Sequence, residues 1–146
     1  MMNQFLILIA MLSIISCSQV SLPSKDESDL SGNDIDFIRS LIDLDSNENI
    51  IYYNSDGGVE QSGSFITNSR LVHYYKKSTD TVQAIWADFK KINSMRLIDN
   101  SKVRTNASYI EASINPADLK FFFDVDSSRL IKIYENAKSS WMNSRN

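Results

Sequence analysis

From residue 127 onward the apolar side chains keep a helical period. Leu130, Ile133, Tyr134, Ala137 and Trp141 fall on one side of a helix that Asp126 or Ser127 can cap. Upstream, from Ile50 to Val125, they come instead in short β-branched and aromatic bursts separated by polar turn residues. That switch of period constrains the chain most. It predicts a mainly β (α+β) chain of six or seven strands closed by an amphipathic helix.

Ile50-Ile51-Tyr52-Tyr53 reads as an opening strand, and Asp56-Gly57-Gly58 as the reversal after it, because glycine tolerates positive φ. Residues 63–67 and 70–77, separated only by Asn68-Ser69, predict a tight hairpin. In its second strand Leu71, His73 and Tyr75 share one face and Val72 and Tyr74 the other. Residues 108–114 alternate as a half-buried strand that Asn115-Pro116 ends. Residues 120–125 form the last strand, with Phe121, Phe123 and Val125 on one face. The stretch 79–97 suits two descriptions: Val82, Ile85, Trp86, Phe89 and Ile92 keep helical spacing, yet 81–86 is equally acceptable as a strand. Ahead of the strands, Ile35, Ile38, Leu41 and Ile42 mark a short helix over 34–44, with Asn33 or Asp34 as its N-cap.

The N-terminal residues carry a different signal. Residues 5–15 (FLILIAMLSII) are apolar apart from Ser13. At about 1.5 Å per residue a helix of that length reaches roughly half of the ~30 Å hydrocarbon core, which suits the apolar stretch of a signal peptide. Ile14-Ile15-Ser16-Cys17 then resembles the lipobox of bacterial lipoproteins, where a small residue precedes the cysteine whose thiol takes the diacylglyceryl group. The resemblance implies a signal peptide over 1–16, acylation of Cys17 and anchorage at the cell envelope. The first four residues depart from it in having no Lys or Arg. Two other readings remain: Ser16 and Ser18 could flank an ordinary secretory cleavage site, or 5–15 could be a buried segment. Residues 17–33, Ser-rich and acidic, predict a flexible tether, leaving 34–146 as one domain with its leading helix.

Charge and cysteine use exclude several classes. From Asp26 to Glu48 eight acids face Arg39 alone, whereas from Asn49 onward 13 bases stand against 10 acids. So small an excess gives no reason to expect nucleic acid as a partner. One cysteine permits no intrachain disulfide, and with His73 the only histidine there is no set for a structural zinc site. No metal or other cofactor is expected.

At Gly63-Ser64-Phe65-Ile66-Thr67-Asn68-Ser69-Arg70-Leu71-Val72-His73-Tyr74-Tyr75 the chain resembles the bacterial pleckstrin-homology-like domains. In these, a strand ending in Thr, a polar two-residue turn and an Arg-aliphatic-aliphatic strand form a recurrent hairpin. Ile50–Tyr53 with Asp56-Gly57, the step Ala87-Asp88-Phe89-Lys90-Lys91-Ile92, the Phe-rich strand and the helix ending in Trp141 are similar to their other elements. The resemblance covers about residues 48–143. It implies a strongly bent, partly open barrel of two near-orthogonal sheets, plugged at one end by the C-terminal helix, and it favours the strand reading of 81–86. Eukaryotic relatives often bind phosphoinositides through a basic loop between the first two strands. Here residues 54–62 hold two acids and no base, so that mode is not supported.

No nucleophile–base set or Gly-rich phosphate loop is legible. His73, flanked by Val72 and Tyr74 in a strand, reads as a packed histidine. The expectation is a non-enzymatic, membrane-anchored lipoprotein whose domain binds a protein or peptide, with Arg70, Tyr74 and Tyr75 as surface candidates. The alternative is an envelope small-ligand or lipid carrier, which requires a continuous apolar cavity where the binding module requires a filled core. An enzyme would require a convergent polar cluster around His73.

Overall fold

The computed structural model describes residues 30–55, 58–79, 81–100, 102–103 and 107–145. The leader, Cys17 and most of the expected tether lie outside the described residues, as do Asp56 and Gly57 of the first reversal; Gly58 has a positive φ of 104°.

The leading helix α1 spans Gly32–Ile42 and so begins earlier than its apolar stripe suggested. Its N-cap is Ser31, not Asn33 or Asp34. The Ser31 hydroxyl accepts from the Asp34 N–H at 3.2 Å, and the Asp34 carboxylate accepts from the Ser31 N–H at 2.9 Å. This reciprocal pairing satisfies two otherwise orphaned donors and sets the start of the helix. Asp43, in the left-handed region at φ 49°, ends it.

Seven strands follow: β1 (Ile50–Asn54), β2 (Ser62–Thr67), β3 (Arg70–Ser78), β4 (Thr81–Asp88), β5 (Ser94–Ile98), β6 (Tyr109–Ile114) and β7 (Ala117–Phe122). They form two antiparallel sheets in the orders β1-β2-β3-β4 and β5-β6-β7. The stretch that also fitted a helix is a strand to Asp88, and a single 3-10 turn at Phe89–Lys91 then carries the chain into the second sheet. β7 starts at Ala117, three residues before the expected position, so Phe123 and Val125 follow the strand rather than belong to it. Helix α2 (Ser127–Asn143) closes the chain, with the Asp126 side chain accepting from the Arg129 N–H at 3.0 Å.

Two separate cores hold these elements. The inner one fills the space between the sheets. Ile66, Leu71, Ala87, Phe89, Ile92, Ile110, Phe121 and Phe123 are buried there against Leu130, Ile133 and Ala137 of α2. Trp141 and Tyr134 seal its margin, donating to the Ile92 carbonyl at 3.1 Å and the Met95 carbonyl at 3.3 Å. The outer core lies on the opposite face of the four-stranded sheet. There α1 lays Ile38 and Ile42, with Phe37 and Leu41 beside them, over Tyr53, Phe65, Val72 and Tyr74. The first sheet is therefore covered on both faces, which explains its near-continuous apolar runs: in a sheet with one wet face they would alternate with polar residues.

Candidate functional site

The four expected site residues part company. Cys17 lies outside the described residues. Tyr74 is fully buried and is not a surface residue: its ring meets Phe37 of α1 edge-on, with centroids 6.1 Å apart. Its hydroxyl donates to the Val59 carbonyl at 2.6 Å and accepts from Tyr53 at 2.6 Å. Burial, the neighbouring Tyr53 and the charge of Asp34 push the Tyr74 phenol far above its ordinary range. The hydroxyl pair fits only because residue 63 is glycine. A Cβ there would stand 2.8 Å from the Tyr74 oxygen and 3.0 Å from that of Tyr53.

Arg70, expected at the surface, is only 13% exposed and is engaged within the fold. Its guanidinium donates to Glu48 at 2.7 Å and lies 3.9 Å from Asp88. Glu48, only 2% exposed, also accepts from the Thr67 hydroxyl at 2.5 Å. Burial would raise the Glu48 carboxyl, but hydrogen bonds from Thr67, Ser69 and Arg70 and the Arg70 charge outweigh it and hold the group below its ordinary range. Thr67 further accepts from the Ser69 and Arg70 N–H groups at 3.1 and 3.0 Å, and the Asn68 side chain clamps Asn47 and Asn49. The hairpin residues that carried the resemblance thus pin the segment ahead of β1 to the β2–β3 turn.

Beyond this network the outer face ends in a groove. Cross-strand pairing puts Tyr53, Phe65, Val72 and Trp86 in one row of that face. The first three are buried, whereas Trp86, on the edge strand, is 44% exposed. It lines a groove of about 750 Å³ with Arg70, Lys90 and Lys91, the acids Asp45 and Asp88, and Ser140 and Asn143 of α2. Lys91 pairs with Asp88 at 2.8 Å. Trp86 was read from sequence only as part of an apolar pattern. Its place in the edge row, past the reach of α1, is a tertiary property that spacing does not carry.

The inner face ends in a second cleft, lined in part by Asp124 and Val125 just ahead of α2. Pairing aligns Asn54, Ser64 and His73 as one polar row directly beyond the apolar row of Tyr52, Ile66 and Leu71. With Ser108, Phe122 and Asp124 they line a space of about 480 Å³. The Ser64 hydroxyl donates to the Phe122 carbonyl across the seam between the sheets. Its single proton is thereby used, so the His73 Nδ1, 2.8 Å away, must be the donor in the Ser64–His73 pair. Burial holds His73 below the ordinary imidazole range, and its Nε2 is left as an acceptor. A serine made nucleophilic by histidine requires the opposite direction of donation. Tyr75, 40% exposed, flanks this cleft and donates to Gln83 at 2.7 Å.

Among the described residues no group of three or more His, Cys, Asp or Glu is placed to hold a metal ion, and no helix is long and apolar enough to cross a membrane. No family model and no curated protein matches the chain. Among solved structures, a DUF1696 family protein with a pleckstrin-homology domain from Shewanella loihica PV-4 is similar, with a TM-score of 0.53 at 14% identity, over 73% of this chain and 92% of that one. The fold is pleckstrin-homology-like: a mainly β, partly open barrel of seven strands with a C-terminal helix and a short N-terminal one.

Proposed function

We propose that this chain is a non-catalytic binding module held at the cell envelope by an acylated Cys17, and that its pleckstrin-homology-like domain takes a protein or peptide in the Trp86 groove. The observation that carries this reading is the half-exposed indole of Trp86 in a polar groove where Arg70, Lys90 and Lys91 stand with Asp45 and Asp88. A rigid aromatic anchor beside arginine is the composition that dominates protein–protein binding energy. The inner core, packed with buried apolar side chains from both sheets and α2, supports a surface site over an interior lipid carrier. The direction of the Ser64–His73 bond supports a non-catalytic role. The lipobox at residues 14–17 supports the anchor.

Two experiments test the reading. A photo-crosslinking side chain at position 86 in living cells is expected to give one discrete adduct, lost when Lys90 and Lys91 are both changed to Glu. No adduct, or the same adduct from position 60 on the far side, would sink the groove assignment. Mass analysis of the mature N-terminus is expected to find a diacylglyceryl group on Cys17, with the Cys17→Ser variant released from membranes. An unmodified Cys17 would remove the anchor.

A further inference from the structure

We propose that the cleft at the polar end of the inner face is a second binding site, and that its ligand is a neutral sugar. The Trp86 groove plays no part in this.

Three observations converge on it. The first is an orphaned donor. Asn54 is only 3% exposed, and its side-chain oxygen accepts from the Asp124 N–H at 2.9 Å, which fixes the orientation of the amide. Its Nδ2 then has no acceptor among the described residues. A buried amide N–H left unpaired loses its hydration without recompense, so the position favours a ligand oxygen. The second is the complementary acceptor. His73 stands two strands away in the same row, neutral, with Nδ1 committed to Ser64 and Nε2 able to receive a hydroxyl proton. A ligand with neighbouring hydroxyls supplies both an oxygen for Asn54 and a proton for His73.

The third is an aromatic strip that continues from the cleft across the seam of the two sheets. Tyr75, His73, Phe122 and Tyr109 follow one another with centroid separations of 6.2, 5.7 and 5.4 Å. Phe122 is 37% exposed although it is a large apolar side chain. Aromatic faces carry the negative part of a quadrupole and attract C–H groups polarised by adjacent oxygens, as on the flat face of a pyranose. The lining also argues against other ligands. Among the described residues no Lys or Arg lines the cleft to hold an anion, and its polar row suits an aliphatic chain poorly. Its volume of about 480 Å³ lies within the range of small-molecule sites.

The test is a titration of the full chain in detergent micelles with three soluble probes: maltotetraose, cellotetraose and the N-acetylglucosamine tetrasaccharide, followed by NMR shifts and calorimetry. Saturable binding of at least one probe is expected, with the largest shifts at His73 and Phe122. Phe122→Ala should weaken it at least tenfold while the melting temperature changes little. Asn54→Asp keeps the acceptor for the Asp124 N–H but removes the donor, and should weaken it similarly. No binding of any probe up to 10 mM, or binding undiminished in Phe122→Ala, overturns the proposal. Position-86 crosslinking, run in parallel, reports on the other groove alone.

Discussion

The four-stranded sheet is buried twice, by helices from opposite ends of the domain, and its two faces are built on different terms. The inner face is one wall of a barrel. It shares its core with a second sheet and with α2, so a change there is felt by both sheets. The outer face is a layer of helix on sheet, in which α1 rests on one sheet alone. Each face also turns polar at one end. The inner face does so at Asn54, Ser64 and His73, the outer at Thr67, Arg70 and Asp88. The two grooves of this small fold lie at those polar ends.

If the inner core carries the whole domain, Phe121→Ala should be the most damaging single change, costing about 3–5 kcal/mol by denaturant melts and loosening both sheets together. Ile38→Ala on α1 should cost about 2–5 kcal/mol, and hydrogen exchange should quicken first in α1, β1 and β2 while β5–β7 stay protected. Equal loss of protection in both sheets would break the distinction between the faces.

Gly63→Ala should cost about 1–3 kcal/mol, because the new methyl group runs into the Tyr53–Tyr74 hydroxyl pair. Combined with Tyr74→Phe, the double variant should be more stable than the two costs summed. Strict additivity would mean that the outer face yields where it is described as packed.

The smallest effects are in pH. His73 is held below its ordinary value of 6.5 by burial, so between the two values the unfolded chain binds a proton that the native one refuses. Stability should decline as pH falls from 6.5, and His73→Gln should flatten that step. Glu48 is held below its ordinary value of 4.5. Its contribution is complete above that value and is lost as pH falls further, a second step that Glu48→Gln should remove. The upper step reports on the inner face and the lower one on the outer.

Much of the fold was legible because its signals are local. The change from bursts to a 3.6-residue period placed α2 and its cap, and Asn68-Ser69 placed the central hairpin. The alternation in β3 correctly put Leu71, His73 and Tyr75 opposite Val72 and Tyr74. The expectation that Tyr74 is exposed fails because α1 covers its face of the sheet. The sign to the contrary was present in Ile50–Tyr53, Phe65-Ile66 and Leu71-Val72, where no polar residue interrupts the run. The candidate site was less legible. The direction of donation between Ser64 and His73, the orphaned Asn54 amide and the exposure of Trp86 all depend on which strands lie side by side and where a helix ends.

The burial of the outer face removes Tyr74 from the surface and leaves Trp86 at its edge, and native-state nitration of the tyrosines, mapped by mass spectrometry, tests it most directly. Tyr75 is expected to react while Tyr53 and Tyr74 stay unmodified until the chain is unfolded. Nitration of Tyr74 in the folded chain, at a rate comparable with Tyr75, would contradict it.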